Sequence, residues 1–561
     1  MIITTFPGPR SARFCAAVLI AGTMAFVGCM EINQAAPAAA EKSGTAPATI
    51  SPELADAAGK VGRLYNVDPP VPASADGLKA LRVGIWYGDP AVADPCSPGH
   101  WKLRMLQPDA AFMIGDRYIV RDSAEGKWLH GAYDNDRQAV VGRQLYATLD
   151  ELIAAHDYPS LPRAPAGFTL REVARLPDFP TRLASNGKGG PLFILCQSGN
   201  VYRVDPKSAN GKPHRVLEAG SYLKAGYWFT LGLTLDAKGR LYLVANERDE
   251  SVTPVTNRVT IFRTMPDAAT VDKLAPKPWL QVSFPYEIKT FNHGVSHIAT
   301  GPDGFLYVNS GSRTDAGEEG EDPRFARIGE IDLTACLWRL DPNQEKPQVE
   351  VFARGLRNTY GFCWDAKGRM LATDNGPNRD APEELNLIEK GKHYGFPYEF
   401  SDLATRPYDH EPKSASPIVA GASVRPIRNM GPDGGQADGQ KIATFTPHSS
   451  PSGMVYLGDG FPNDYRGTFL IGRFGNLFRY PEVSGFDVLR VRLRENGNGI
   501  EGAEVHKVLS PLGRPIDLHL WGPGSVVIGE YSRDTCFPSP ASDLPGRILE
   551  LRVAERAGVV P

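Results

Sequence analysis

A short polar turn followed by an apolar strand recurs six times in this chain of 561 residues: NGKGGPLFIL (186–195), DAKGRLYLV (236–244), GPDGFLYVNSG (301–311), DAKGRMLATDNG (365–376), DYRGTFLIG (464–472) and GPGSVVIG (522–529). Their centres, Phe193, Tyr242, Tyr307, Leu371, Leu470 and Val527, lie 49, 65, 64, 99 and 57 residues apart. Turn residues supply the backbone angles that tight hairpins require, and the apolar runs suit half-buried strands. Several copies are followed by a second strand of the form Gly-x-Leu/Val-aromatic-Arg: GNVYRVD (199–205), ACLWRLD (335–341) and GNLFRYP (475–481), with GRILELRV (546–553) in the same part at the end. Such a unit cannot bury both faces alone, so it must stack on its neighbours. Six units predict an all-β fold, a six-bladed β-propeller over 166–555, because a radial array leaves only short, protected edges. A pair of β-sandwich domains is the competing arrangement. The long interval between Leu371 and Leu470 predicts an insertion that includes the low-hydrophobicity stretch 401–440.

The 58 glycines and 48 prolines fit this punctuation. Lys and Arg number 61 against 64 Asp and Glu, a net charge of −3, with no basic run. Phosphate binding needs a concentrated basic surface, so a nucleic-acid partner is excluded.

Arg10 and Arg13 precede an apolar run, Phe14 to Val27, that is shaped like a signal-peptide core and is too short to span a bilayer. It ends in Phe26-Val27-Gly28-Cys29, which resembles a bacterial lipoprotein box. The expectation is a signal of residues 1–28 cut before a lipidated Cys29, a flexible tether over 29–50, and export to the periplasm or cell surface with membrane anchoring. Plain secretion and an uncleaved anchor are the alternatives. The seven cysteines form no CxxC or CxxCH, which disfavours zinc ribbons and covalent haem. Five remain once Cys15 is removed and Cys29 acylated, so at least one is unpaired or pairs between chains. Residues 51–165 lack the repeat and read as a small N-terminal α/β extension of unknown role. A helix is expected over 142–156, where Leu145, Leu149, Leu152 and Ile153 fall at helical spacing.

Three segments carry candidate chemistry. In FNHGVSHIATGPDG (291–304), His293 and His297 precede the third strand signal. A histidine there suits a general base, although a metal pair or a structural role is also open. In ARGLRNTYGFCWDAKG (353–368), Arg357 offers a planar fork for carboxylates or quinone oxygens beside Asn358. In DNGPNRDAPEELNLIEKGKHYGFP (374–397), the Gly376 and Pro377 carbonyls are candidate hard ligands for Ca²⁺, and Glu384 and Tyr394 suit a second, structural calcium site.

Taken in order, His293 eight residues before Gly301-Pro302-Asp303, GLRN, NGPN…EELNLI…YGFP, PHSSPSGMVY and LGRPID, this sequence resembles the glucose/sorbosone dehydrogenase family of soluble pyrroloquinoline quinone (PQQ) dehydrogenases. The resemblance covers roughly Ala166 to Glu555 and implies the roles. His293 matches the base that takes the hydroxyl proton during hydride transfer, Arg357 and Asn358 the pair beside the reactive carbonyls, and Gly376 and Pro377 the ligands of cofactor-bound calcium. Arg473 falls at a cofactor-binding lysine position, Arg514 at an arginine that clamps a cofactor carboxylate, and His448 at a cofactor-contacting threonine. Glu384 and Tyr394 match a structural calcium site. Three guanidinium groups, of Arg357, Arg473 and Arg514, would then face the three carboxylates of PQQ.

Three positions depart from the pattern. Asn292 stands for an acid beside the base, Ser312 for the Asp of a strand-end Gly-Asp, and Ile516 for a second arginine near Arg514. The resemblance implies a PQQ- and Ca²⁺-dependent oxidoreductase acting on a sugar or sugar-derived alcohol or aldehyde, with an external electron acceptor. A non-catalytic cell-surface propeller that binds carbohydrate or protein is the alternative, and a metal-dependent hydrolase or lactonase lacks a convincing ligand set.

Overall fold

The computed structural model describes residues 30–31, 51–67, 84–88, 101–105, 108–114, 117–134, 139–205, 212–288, 293–320, 322–378, 381–401, 411–417, 422–433, 443–476, 484–533 and 544–555. Cys29, Asn292 and the expected signal of residues 1–28 lie outside them. The chain divides into two units, one of residues 37–160 with 542–545, the other of the remainder.

The larger unit opens with β1 (Met30–Glu31). In the smaller unit, helix α1 (Pro52–Tyr65) starts at Ser51, whose hydroxyl accepts from the Leu54 N–H, and ends at Asn66 in the left-handed region. Its buried face, Ala57, Ala58, Val61, Leu64 and Tyr65, packs with Phe112 and Ile119 of a six-stranded sheet. The strands are β2 (Gly84–Gly88), β3 (Trp101–Met105), β4 (Pro108–Ile114), β5 (Arg117–Asp122), β6 (Lys127–Asp134) and β7 (Ala139–Tyr146), in the order β3-β2-β7-β6-β5-β4. The second helix, α2, spans only Leu149–His156. Residues 142–146, expected to be helical, belong instead to β7, where Leu145 pairs with Leu129 of β6. The boundary is a capping box: Thr148 Oγ1 accepts from the Glu151 N–H at 3.1 Å, and Glu151 accepts from the Thr148 N–H at 3.3 Å.

The larger unit is built from six antiparallel sheets, each formed by consecutive strands. They are β9 (Pro180–Ala184) to β12 (His214–Leu217); β13 (Tyr227–Leu235) to β16 (Lys277–Pro285), with β1 added beside β13; β17 (Val295–Thr300) to β20 (Glu350–Arg354); β21 (Phe362–Trp364) to β23 (Glu384–Ile388); β25 (Pro451–Leu457) to β28 (Gly499–Leu509), with β24 (Asn429–Pro432) added in parallel; and β29 (Pro515–Gly522) to β31 (Arg547–Val553). The first strands of successive sheets touch in a ring: β9 meets β13, β13 meets β17, β21 meets β25, β25 meets β29, and β29 returns to β9. His297 of β17 stacks on Phe362 of β21 with ring centroids 4.3 Å apart, completing the circuit. The fold is a six-bladed β-propeller. Its last blade takes its outer strand from β8 (Phe168–Arg175), which pairs antiparallel with β31.

The six repeated strand centres all lie in the second strand of a blade: β10 (Leu192–Cys196), β14 (Leu241–Asp249), β18 (Leu306–Ser310), β22 (Met370–Asp374), β26 (Thr468–Arg473) and β30 (Ser525–Glu530). These strands are buried on both faces, not half-buried. Leu241 and Leu243 pack toward Phe193 and Leu195 of the preceding blade, whereas Tyr242 and Val244 pack toward Leu306 and Val308 of the next. The same alternation closes the circle through Leu371 and Leu470 to Val527, which packs with Leu192 and Ile194. Two buried faces require a nearly continuous apolar run, which is why these segments stand out. Of the expected follow-on strands, GNVYRVD, ACLWRLD and GRILELRV supply β11 (Val201–Val204), β19 (Cys336–Leu340) and β31. Most of GNLFRYP, residues 477–481, lies outside the described residues, and β26 pairs with β27 (Asp487–Asn496).

One buried arginine spans the centre. Arg182 of β9 donates to the Leu231 carbonyl at 2.8 Å, to Asp517 Oδ1 at 3.3 Å and to the Tyr360 carbonyl at 2.7 Å, and lies 3.8 Å over the Tyr360 ring. These partners belong to the second, sixth and fourth blades. Asp517 also accepts from the Leu183 N–H at 2.9 Å. Replacing Arg182 with Met strands a buried carboxylate, so a loss of about 3–5 kcal/mol is expected. Urea unfolding measures it, and adding Asp517→Leu should recover part of the loss. An unchanged midpoint in the single variant would contradict the hub.

Candidate active site

In an antiparallel pair, the start of one strand lies beside the end of the next. Residues that enter a blade's first strand and leave its second strand therefore gather at one end of the propeller. Most of the expected site residues occupy such positions: His293 before β17, Arg357 and Asn358 before β21, Gly376 and Pro377 after β22, His448 before β25, Arg473 ending β26, and Arg514 before β29.

A continuous set of bonds links them. The His293 N–H donates to the Ser312 carbonyl at 3.0 Å, and the Ser312 N–H donates to the Arg357 carbonyl at 2.7 Å. The Arg357 and Asn358 N–H groups both donate to the Asp374 carboxylate, at 2.8 and 2.6 Å. The Arg357 guanidinium reaches the Asn375 carbonyl at 3.1 Å, the Asp315 carbonyl at 2.9 Å and the Asp315 carboxylate. Asp315 in turn accepts from the Asn378 N–H at 3.1 Å, holding the turn that carries Gly376 and Pro377. Glu383 accepts from the N–H groups of Gly376 and Ser450. His448 and Ser450 have φ of 59° and 50°, a left-handed turn that carries the chain past Glu383 into β25. Gly475 and Phe474 then donate to the Ser449 and Ser450 carbonyls, both at 3.0 Å, and Arg514 donates to the Asn476 carbonyl at 3.4 Å.

The three expected guanidiniums are not equivalent. Arg473 is bound through two nitrogens to buried Asp487, at 2.8 and 2.7 Å, and lies 3.1 Å from Asp433. Its charge is matched inside the fifth blade by these two carboxylates, as that of Arg357 is by Asp315. Arg514 is buried, with its guanidinium 4.9 Å from the ring centroids of both Phe474 and Phe486. Ile516, at the position of the missing second arginine, packs with Tyr360 and Phe474.

Burial, followed by the nearby Arg357 cation, pushes His293 well below its ordinary value of 6.5, against a smaller opposing effect of its bond to Ser312. His297 is four residues on but belongs to β17, where its Nδ1 lies 3.2 Å from the Tyr360 carbonyl, so the two histidines do not form a pair. Burial raises Asp374 and Glu384, and pushes Glu383 up to about 7 despite its two backbone donors.

Among the described residues, no cluster of three or more His, Cys, Asp or Glu could hold a metal. Oxygen donors of other kinds are present. Beside Gly376 and Pro377, the buried Asn375 Oδ1 has no hydrogen-bond partner. Around Glu384, Asn386 Oδ1 and Ser401 Oγ are likewise buried and unpartnered, a donor set that fits a hard cation. The Tyr394 hydroxyl is committed to the Leu387 carbonyl at 2.6 Å and the Glu389 N–H at 2.8 Å, so only its backbone remains for that site.

Residues 234–480 match the family model described as Glucose / Sorbosone dehydrogenase. That segment is similar to the glucose/sorbosone dehydrogenase family. It starts in β13 and ends beyond β26, so it contains His293, Arg357 and the Gly376–Pro377 turn, and leaves Arg514 outside. Two curated relatives align over short stretches. An uncharacterized protein of Synechocystis sp. is 33% identical over 132 residues, covering 23% of this chain and 27% of its own length. Quinoprotein glucose dehydrogenase B of Acinetobacter calcoaceticus is 30% identical over 71 residues, covering 13% of this chain and 14% of its own. Among solved structures, the PQQ-bound form of an aldose sugar dehydrogenase from Streptomyces coelicolor is 21% identical over 70% of this chain and 99% of its own, with a TM-score of 0.47. The apo form of the soluble aldose sugar dehydrogenase from Escherichia coli is 16% identical over 69% of this chain and 100% of its own, with a TM-score of 0.46.

Asp315, Asp374 and Glu383 were not singled out from the sequence, although each sits within four residues of a residue that was. Glu383→Gln replaces the charged acceptor of two backbone donors with a neutral amide that has a single acceptor oxygen. A loss of about 1–3 kcal/mol is expected locally, read as at least roughly tenfold faster hydrogen exchange at Gly376 and Ser450. Unaltered exchange at both amides would rule out the bridge.

Proposed function

We propose that this protein is an exported, PQQ- and Ca²⁺-dependent dehydrogenase that oxidises a sugar or a sugar-derived alcohol or aldehyde and passes electrons to an external acceptor. The observation that carries the reading is the single bonded network joining His293, Arg357 and the Gly376–Pro377 turn at one end of the propeller, inside the domain segment. When bound, PQQ would supply the hydride acceptor and Ca²⁺ the polarisation of its quinone. Arg357, Arg473 and Arg514 would face carboxylates of the cofactor, Asn358 would contact it beside Arg357, and His448 would line its edge. The carbonyls of Gly376 and Pro377, with Asn375 Oδ1, would hold the cofactor's cation. Glu384, Asn386 and Ser401, with the Tyr394 backbone, would hold a second, structural one.

The chemistry left to the chain is proton transfer and positioning. His293 is neutral at physiological pH because burial and Arg357 oppose its protonation. It can therefore accept the substrate hydroxyl proton as the carbon gives up its hydride. Burial around the network excludes competing water. Export and anchoring rest on the Arg10-to-Cys29 segment, with Cys29 as the lipidated residue.

Reconstitution with PQQ and Ca²⁺, followed by dye reduction over an aldose panel, tests the reading. Turnover with at least one aldose is expected. His293→Gln should lower kcat by roughly 10²–10⁴-fold, the usual contribution of a positioned base. Because the ring stays neutral below its ordinary value of 6.5, kcat/KM should hold its plateau through pH 6.5 and fall only at lower pH. No turnover with any sugar, together with no PQQ binding by absorbance, would sink the proposal. Incorporation of labelled fatty acid that is lost in Cys29→Ser tests the anchor.

A further inference from the structure

We propose that Ser312 is the positioning residue of the base, holding His293 in the tautomer protonated on Nδ1 and so making Nε2 the nitrogen that receives the substrate proton. The assignment comes from counting hydrogens. Ser312 Oγ lies 2.8 Å from the Thr314 carbonyl oxygen, which can only accept, so the single hydroxyl hydrogen is spent there. Toward His293 Nδ1, 3.0 Å away, the hydroxyl can then only accept. The Ser312 carbonyl oxygen, 3.2 Å from the same nitrogen, can also only accept. Two acceptors converge on Nδ1, so Nδ1 carries a hydrogen. A neutral imidazole has one N–H, and Nε2 is left as the ring's acceptor.

The support behind Ser312 is rigid. Ser312 is fully buried two residues past the end of β18, its N–H is bonded to the Arg357 carbonyl at 2.7 Å, and Thr314 is held by its own N–H to Glu330 at 2.8 Å. The preceding residue is Gly311, where a Cβ would lie 2.5 Å from the Cβ of His293, so the close approach of the two segments depends on its absence. Ser312 orients the ring through a neutral group. A carboxylate in its place would add a negative charge next to Nδ1 and favour the imidazolium. With serine, the ring is steered without being made more basic.

In the proposed reaction the substrate O–H bond breaks, its proton forms an N–H bond at His293 Nε2, and the carbon's hydride leaves with two electrons to the quinone oxidant. That step rests on the dehydrogenase reading, whereas the tautomer does not. The test is therefore made first on the cofactor-free protein labelled with ¹⁵N-histidine, with the His293 signals assigned by their loss in His293→Gln. The wild type should show a protonated Nδ1 and an unprotonated Nε2. Ser312→Ala, which leaves only the carbonyl acceptor, should shift the tautomer ratio at least tenfold toward Nε2–H, and Ser312→Thr should restore it. An Nε2–H ring in the wild type, or a ratio unchanged by Ser312→Ala, would overturn the assignment. In loaded enzyme the alanine variant should lose kcat with little change in KM. A protein with the expected tautomer but no turnover would count against the dehydrogenase reading alone.

Discussion

The guanidinium of Arg182 is the constraint on which the propeller's centre depends. Four blades meet it, through its own strand, the Leu231 carbonyl, the Tyr360 carbonyl and Asp517, and His297 of a fifth blade shares the Tyr360 carbonyl. Such a charge is costly to bury alone, and its partners come from distant parts of the chain. The arrangement is satisfied only when the ring has closed in register. Its consequence at the site is geometric. With the first strands locked around one cation, the residues that precede them, including His293 and Arg357, are held at fixed separations without relying on their own loops.

The repeat was legible because its physics is local. A second strand buried on both faces has to be apolar at nearly every position, and a tight turn has to precede it, so six such segments stood out. Elements with one solvated face were less distinct. The stretch around Leu145 carried helical spacing although β6 claims it as a strand. Tertiary pairing overrode periodicity there.

The site was legible in its residue types but not in their pairings. Arg357, Arg473 and Arg514 look alike in a sequence, and their surroundings become distinct only in the fold. Arg357 meets Asp315, Arg473 meets Asp487 on the neighbouring strand and Asp433 after β24, and Arg514 lies against the rings of Phe474 and Phe486. Glu383 bridges two blades through backbone donors that have no sequence signature. Ser312 read as the loss of an acid, yet its hydroxyl lies 3.0 Å from His293 Nδ1 and adds no charge there.

The pairing of β8 with β31 sets a schedule as well as a seam. Thr169 and Arg552, hydrogen-bonded partners in that seam, are 383 residues apart. At about 5–20 residues per second, ribosomal synthesis leaves β8 without its partner for roughly 20–80 s. During that interval its edge is open to wrong partners. Arg171, Glu172 and Arg175 interrupt its apolar residues, the kind of charged edge that discourages pairing with another chain. A strand that must wait longest for its neighbour thus carries its own deterrent to premature association.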